Sequence, residues 1–167
     1  MDYLNDLLDD KSVMFKPGEG KNISIDGGMI TFKITSDISK DQLGVYEISL
    51  QPGTVGARLH FHRFMDETFI VNRGILTVQT GPKELELPEG SVIYIPRFTP
   101  HGFSNKSATD VTVTLIFNPA QSREGFFIGL KEVLEESPVD PAKFLKLYNK
   151  YDSYPVDEKN MIQSRNA

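Results

Sequence analysis

The chain of 167 residues contains no cysteine. This absence excludes disulfide bonds, thiol-based catalysis and thiolate metal ligands, and with them any zinc finger. The sequence also has no apolar run long enough to span a bilayer and no basic helix. Its acidic amino terminus, MDYLNDLLDD, lacks the basic-then-apolar order of a signal peptide. We therefore expect a cytoplasmic protein without membrane association.

The sequence also has no excess of cationic side chains over anionic ones. The formal net charge is −5, which argues against nonspecific nucleic-acid binding, because that binding depends on neutralisation of phosphates by Lys and Arg. We expect no nucleic-acid partner. The length suits one domain over residues 1–167, with enough apolar sequence for a single hydrophobic core.

Short apolar runs separated by glycine and proline fill the chain from residue 12 to residue 117. In the last of them, Val111, Val113, Leu115 and Phe117 alternate with threonine and isoleucine, as one face of a strand requires. Many short strands with turn signals at this spacing predict an all-β sandwich or barrel. Periodicity alone does not separate a jelly roll from other β folds.

The hydrophobic pattern of the sequence becomes helical after residue 119. Apolar residues recur at helical spacing over 123–136, and Asp140-Pro141 is typical of an N-cap followed by proline in the first turn. We therefore expect a barrel core over about 20–119 and a C-terminal helical extension over about 122–150. The apolar stripe favours helices packed on the outside of the barrel over a lid that faces a ligand.

The histidines form the most informative pattern in the sequence. His60 and His62 are two apart, so on a strand both imidazoles would point to the same side. Glu67 can return on a paired strand after a short turn, and His101 is the remaining histidine of three. Together they would form a nitrogen and oxygen set suited to one divalent transition metal. A single His-x-His pair also arises by chance among hydrogen-bonded core or surface residues.

Two segments resemble the motifs of the cupin superfamily. Residues 56–74, GARLHFHRFMDETFIVNRG, resemble the first cupin motif, and residues 90–105, GSVIYIPRFTPHGFSN, resemble the second. The resemblance covers about residues 40 to 120 and implies a double-stranded β-helix, the cupin jelly-roll barrel. Two departures affect loop shape only: Phe98 stands where glycine is usual, and Gly56 precedes His60 by fewer residues than usual.

The resemblance implies that His60, His62, Glu67 and His101 bind one divalent metal, which we expect to be Fe, Mn, Ni, Cu or Zn. It suggests a dioxygenase similar to quercetinase-type cupins, acting on a small enolisable or aromatic substrate, with Glu67 as the catalytic base. The alternatives are a metal-dependent isomerase, epimerase or lyase, and a cupin that binds or senses a small ligand without turnover. Because cupins commonly dimerise, we also expect a homodimer.

Five further residues are candidates for the substrate pocket. Arg58 is two residues before His60, so on a strand its side chain would point to the same face as the two histidines and could bind a substrate anion. The alternative is an arginine exposed to solvent. Phe69 and Val71 have the parity of Glu67 and would line the cavity or belong to the ordinary core. Phe98 and Phe103 flank His101 and would wall an apolar pocket, with core packing as an equal alternative.

Overall fold

The computed structural model describes residues 11–163, which are mostly antiparallel β-structure. The strands are β1 (Lys21–Ile25), β2 (Gly28–Ile34), β3 (Gly44–Leu50), β4 (Val55–Phe61), β5 (Asp66–Arg73), β6 (Ile75–Thr80), β7 (Lys83–Pro88), β8 (Val92–Ile95), β9 (His101–Ser104), β10 (Val111–Asn118) and β11 (Tyr154–Pro155). The helices are α1 (Ser36–Ser39), α2 (Arg123–Leu134), α3 (Pro141–Lys150) and a short 3-10 helix (Glu158–Asn160).

The strands form two antiparallel sheets that face each other. One sheet has six strands in the order β1-β2-β3-β10-β5-β8, and the other has five in the order β11-β4-β9-β6-β7. Side chains from the two sheets meet between them: Phe69 on β5 and Phe103 on β9 have ring centroids 5.2 Å apart. This double-sheet jelly roll confirms the all-β fold expected from the sequence.

The alternation along β10 builds the centre of the core. Val111, Val113, Leu115 and Phe117 are almost completely buried, while the residues between them are half-buried. β10 pairs with β3 on one side and with β5 on the other. Each large apolar side chain that leaves water in this way contributes roughly 1.5–3 kcal/mol.

Gly74 makes the sharp turn between β5 and β6, where the chain leaves the six-stranded sheet for the five-stranded one. Its φ is +81°, and a Cβ there would lie 2.7 Å from the carbonyl oxygen of Asp110. Glycine tolerates both the left-handed backbone and the close approach, which any other residue would oppose.

The C-terminal helices close one side of the space between the sheets. Phe127 on α2 contacts Tyr46, with ring centroids 5.0 Å apart, and also packs near Phe32 and Phe117 from the six-stranded sheet. The expectation of helices on the outside of the barrel is therefore wrong. The apolar stripe was identified correctly, but it contacts the inward-facing side chains of the sheet.

The start of α3 agrees with the prediction from Asp140-Pro141. The Asp140 carboxylate accepts hydrogen bonds from the backbone N–H groups of Ala142 and Lys143, and Pro141 is the first helical residue. After α3 the chain adds β11 to the edge of the five-stranded sheet, where Pro155 pairs with His60. Within residues 11–163, no helix combines the length and apolar character that crossing a membrane would require.

The packing of α3 gives a test of how far the helices contribute to the fold. Phe144 is completely buried and stacks on Tyr148 with ring centroids 4.4 Å apart. We expect Phe144→Ala to lower the free energy of unfolding by about 3–5 kcal/mol, the usual cost of removing a buried aromatic ring. Urea unfolding would measure this loss.

The exposed Lys146 on the same helix provides the matched control. Lys146→Ala should change the free energy of unfolding by no more than about 0.5 kcal/mol, as for most surface substitutions. Equal effects of the two substitutions would show that α3 does not pack as described.

Candidate metal centre

Four side chains converge at the inner face of the five-stranded sheet and the adjoining strand β5. They are His60 on β4, His62 just beyond it, Glu67 on β5 and His101 on β9, and each is no more than 3% exposed. His60 is directly opposite His101 in the β4–β9 pairing. One candidate ligand atom from each residue lies within 4.8 Å of those from the other three. The group can therefore hold a metal ion.

Each imidazole is held through its Nδ1 atom by a backbone carbonyl. The pairs are His60 with Arg58 at 2.8 Å, His62 with Asp152 at 2.6 Å, and His101 with Thr99 at 2.8 Å. A carbonyl oxygen can only accept a hydrogen bond, so each Nδ1 carries the proton and donates it. Wherever a ring is neutral, this leaves the Nε2 atom to bind a metal, as in the metal-binding histidines of proteins.

Glu67 brings negative charge next to the Nε2 atoms. Its Oε2 lies 2.8 Å from His101 Nε2 and 3.2 Å from His62 Nε2. Burial lowers the pKa of both His60 and His62, which favours neutral rings. Burial opposes ionisation of Glu67, but its contacts with His101 and His62 outweigh that effect and hold the pKa of the carboxyl below its usual range. Three imidazoles and one carboxylate thus form an electron-rich set that suits a cation.

Asp152 fixes the turn that separates His62 from Glu67. Its carboxylate accepts hydrogen bonds from the backbone N–H groups of Arg63 at 2.9 Å, Phe64 at 2.8 Å and Met65 at 3.1 Å. Its φ is +59°, a left-handed conformation that aspartate tolerates better than most residues. Asp152 was not among the predicted site residues, because nothing in the local sequence indicates a partner about 90 residues away.

A small cavity adjoins the four converging side chains. It measures about 30 Å³, and both His60 and Glu67 line it. Most of the remaining wall is apolar and includes Phe103, Leu115, Phe126, Phe127 and Leu130. Two of these wall residues come from the sheets and three from α2, so the helix closes the cavity.

The other predicted pocket residues lie in different places. Phe103 lines the cavity, whereas Phe69 and Val71 are completely buried in the core and are not part of its wall. Phe98 is 65% exposed and has a φ of +64°. The expectation that it walls the pocket is corrected, because most of its side chain is exposed and it does not line the cavity.

Arg58 also lies outside the metal-site cavity. The pairing of β4 with β9 shifts register between Ala57 and His60, so one extra residue interrupts the alternation on β4. Arg58 instead lines a separate cavity of about 210 Å³, together with Gln79 and Glu84. The prediction that Arg58 points to the same face as His60 and His62 is therefore corrected, because a β-bulge moves a side chain to another face.

The cationic side chain that does reach the cavity is Arg123, the first residue of α2. It is 4% exposed, and burial lowers the pKa of its guanidinium to about 10, so it stays charged at neutral pH. From the sequence, Arg123 was predicted only to lie at the start of a helical segment. Only the position of α2 over the cavity identifies its role.

The contacts of Asp152 lead to a prediction about stability. Asp152→Ala should lower the free energy of unfolding by about 2–5 kcal/mol, because each buried donor left without an acceptor costs roughly 1–3 kcal/mol. Asp152→Asn should cost less, since one acceptor oxygen and the tolerance for positive φ remain. Urea unfolding measures both losses.

Asp157 serves as the control for this substitution. It is exposed and accepts a hydrogen bond from the backbone N–H of Lys159 at the start of the 3-10 helix. Asp157→Ala should cost about 1 kcal/mol or less, as for an exposed helix cap. If it destabilised the protein as much as Asp152→Ala, the assigned role of Asp152 would be wrong.

Comparison with known structures places this architecture among known folds. KdgF from Halomonas sp. aligns with a TM-score of 0.57 and 20% identity over 64% of this chain and 94% of that one. A predicted oxalate decarboxylase from Thermotoga maritima aligns with a TM-score of 0.57 and 17% identity over 65% of this chain and 99% of that one. These similarities concern the fold.

A sugar phosphate isomerase of the cupin superfamily from Silicibacter pomeroyi DSS-3 aligns with a TM-score of 0.51 and 24% identity. The alignment covers 56% of this chain and 60% of the isomerase, so less than two thirds of that protein is represented. Comparison with curated proteins gives no match. The family model described as "Cupin domain" matches residues 46–117, from β3 to β10. Together with the two facing sheets, this match shows that residues 46–117 are a cupin domain.

Proposed function

We propose that the protein is a metal-dependent dioxygenase that acts on a small enolisable or aromatic substrate. The observation that carries the proposal is the convergence of His60, His62, Glu67 and His101 beside a largely apolar cavity. Four protein ligands leave one or two positions free on a five- or six-coordinate metal, a pattern typical of catalytic rather than structural sites.

The four residues would hold one divalent Fe, Mn, Ni, Cu or Zn ion, since imidazole nitrogens and a carboxylate oxygen suit all of these metals. When bound, such a metal supplies Lewis acidity toward an anionic substrate oxygen and, if it is redox-active, electron transfer to O₂. The carbonyl partners of the three Nδ1 atoms orient the rings for binding through Nε2.

Glu67 is placed to accept a proton from the substrate. Its hydrogen-bonding contacts within residues 11–163 involve Oε2, and the side chain lines the cavity. The lowered pKa keeps the carboxyl ionised but also weakens it as a base, so the proton that it accepts would have to be made acidic by the neighbouring carbonyl and the metal. A proton removed from the carbon next to a carbonyl would produce the enolate that this class of substrate requires.

The walls of the cavity exclude water from the reaction. Apolar side chains from both sheets and α2 surround the available space, and the four candidate ligands are almost completely buried. Such a site strengthens electrostatic interactions and protects reactive species from hydrolysis. A space of about 30 Å³ limits the part of the substrate that enters the cavity to a small group.

A metal-dependent isomerase or lyase is the second candidate. The cupin fold here is shared with proteins described as a sugar phosphate isomerase and as a predicted oxalate decarboxylase. Proton transfer by Glu67 beside a redox-inert metal would serve such a reaction without O₂. The two candidates therefore differ in their need for O₂ rather than in their ligands.

Metal content tests the centre itself. Elemental analysis of the protein purified without added metal should show about one equivalent of a transition metal, and its removal by a chelator should lower Tm, because bound metal stabilises the folded state. His101→Ala and Glu67→Gln should weaken metal affinity by more than the roughly 10–100-fold typical of lost outer hydrogen-bond partners.

Glu86, an exposed acidic residue on β7, provides a matched control for Glu67. Glu86→Gln should retain full metal content. Absence of metal from the wild-type protein even after reconstitution would contradict the proposal, as would unchanged affinity in Glu67→Gln and His101→Ala together.

Oxygen consumption separates the two reactions. With acetylacetone as an enolisable probe, the protein loaded with Fe²⁺ should consume O₂, and Glu67→Gln should reduce the rate by about 100-fold or more, as expected for a lost general base. An oxygen electrode and product analysis would measure this. Conversion of acetylacetone under nitrogen by the Zn²⁺-loaded protein would instead support the isomerase or lyase, and binding without conversion would reject both.

A further inference from the structure

Arg123 is a buried cation within the cavity wall. Its guanidinium carbon lies 3.7 Å from the ring centroid of Phe126 and 4.8 Å from that of Phe117. Its Nη1 donates hydrogen bonds to the carbonyl oxygen of Tyr151 at 3.0 Å and to Ser153 Oγ at 2.9 Å. Both of these acceptors are uncharged, so the hydrogen bonds do not neutralise the guanidinium.

The Nε atom of Arg123 has no hydrogen-bond partner although it is completely buried. Among the ion pairs formed by residues 11–163, none involves Arg123. Glu67 is the acidic residue whose charge acts most strongly on it, but the Glu67 carboxylate faces the imidazole rings. A buried charge and a buried donor are both costly when nothing compensates them.

A divalent metal bound by the four candidate ligands would add to the uncompensated positive charge of Arg123. A divalent metal, the Glu67 carboxylate and the Arg123 guanidinium together carry a formal charge of about +2, since Asp and Glu are −1 and Arg is +1 at neutral pH. The remaining cavity wall is largely apolar. An anion that enters the cavity would reduce the net charge and could accept the free Nε–H.

We propose that Arg123 binds an anionic oxygen of the substrate, and that this substrate is a small carboxylic acid. The proposal rests on the function proposed above, because it assigns the substrate class of the same centre. One end of the molecule would face the metal and Glu67, and its carboxylate would face Arg123. The guanidinium is the side chain best suited to hydrogen-bond a carboxylate.

The size and polarity of the cavity narrow the class further. A water molecule needs roughly 10–15 Å³ of such space, and the cavity has about 30 Å³. This is room for a group of a few atoms. A sugar would leave most of its hydroxyl groups without partners against apolar walls. A compact carboxylic acid with a short apolar body fits both the volume of the cavity and its apolar walls.

A purely structural role for Arg123 must be distinguished from this one. The Nη1 hydrogen bonds connect α2 to the segment after α3 and would be present without any ligand. They do not involve Nε. The two roles therefore predict different behaviour of the Nε–H group when an acid is added.

The test uses the Zn²⁺-loaded full-length protein in a buffer free of carboxylates, with acetate as the probe. Acetate should shift the NMR resonance of the Arg123 Nε–H, identified by its loss in Arg123→Lys. Calorimetry should show binding of acetate that is stronger than binding of the neutral acetamide and of inorganic phosphate. Arg123→Met should weaken acetate binding by about tenfold or more, because a charge-assisted hydrogen bond is lost.

Arg58 is the matched control. Its Nε is also buried without a partner, but it lines the separate cavity. Arg58→Met should leave acetate affinity within about twofold of the wild-type value, as expected for a site that shares no partner with the ligand. The wild-type NMR measurement gives an answer even if Arg123→Met fails to fold.

The outcomes separate the two proposals. If Zn²⁺ binds but acetate neither shifts the Arg123 resonance nor loses affinity in Arg123→Met, the role of Arg123 is overturned and the metal centre stands. Phosphate or acetamide binding as tightly as acetate would overturn the assignment of a carboxylic acid. If the protein binds no Zn²⁺ but acetate still shifts the Arg123 resonance, the anion site stands and the proposed metal function fails.

Discussion

The interaction on which the centre most depends is the pairing of Asp152 with the turn at residues 63–65. One carboxylate satisfies three backbone donors, and the carbonyl of the same residue orients His62. The turn in this position brings Glu67 back beside the histidines. Since Asp152 follows α3, the correct geometry of the centre requires the C-terminal segment to be folded against the sheets. Metal binding and docking of this segment should therefore stabilise each other.

The cupin domain and the C-terminal segment contribute different parts of the site. Residues 46–117 contain the four candidate ligands, whereas Arg123 and Asp152 lie beyond the end of the family match. The ligands define what the centre can hold. The added helices limit the remaining space and place a buried cation, Arg123, in the cavity wall. Proteins with the same barrel can thus have different substrates without any change in the ligands.

The sequence was sufficient to predict the all-β fold and the grouping of the four candidate ligands. Both depend on local rules: strand alternation for the core, and the resemblance of two short motifs for the histidines and Glu67. The errors arose where local rules were interrupted. A β-bulge moved Arg58 to another cavity, and Phe98, which has a positive φ, is mostly exposed. The departures from the cupin motifs at Gly56 and Phe98 lie at or beside these irregularities, but residue types alone do not indicate where a side chain then points.

The position of α2 shows a more general limit. Its apolar spacing indicates that Phe126, Phe127 and Leu130 leave water, but a core and the wall of a cavity impose the same spacing. Hydrophobic periodicity reports burial and says nothing about what the buried surface faces. Arg123 differs from its apolar neighbours on α2, because a charge has to be compensated wherever it is buried. Its Nε atom is buried without a hydrogen-bond partner, a property that hydrophobic periodicity cannot predict.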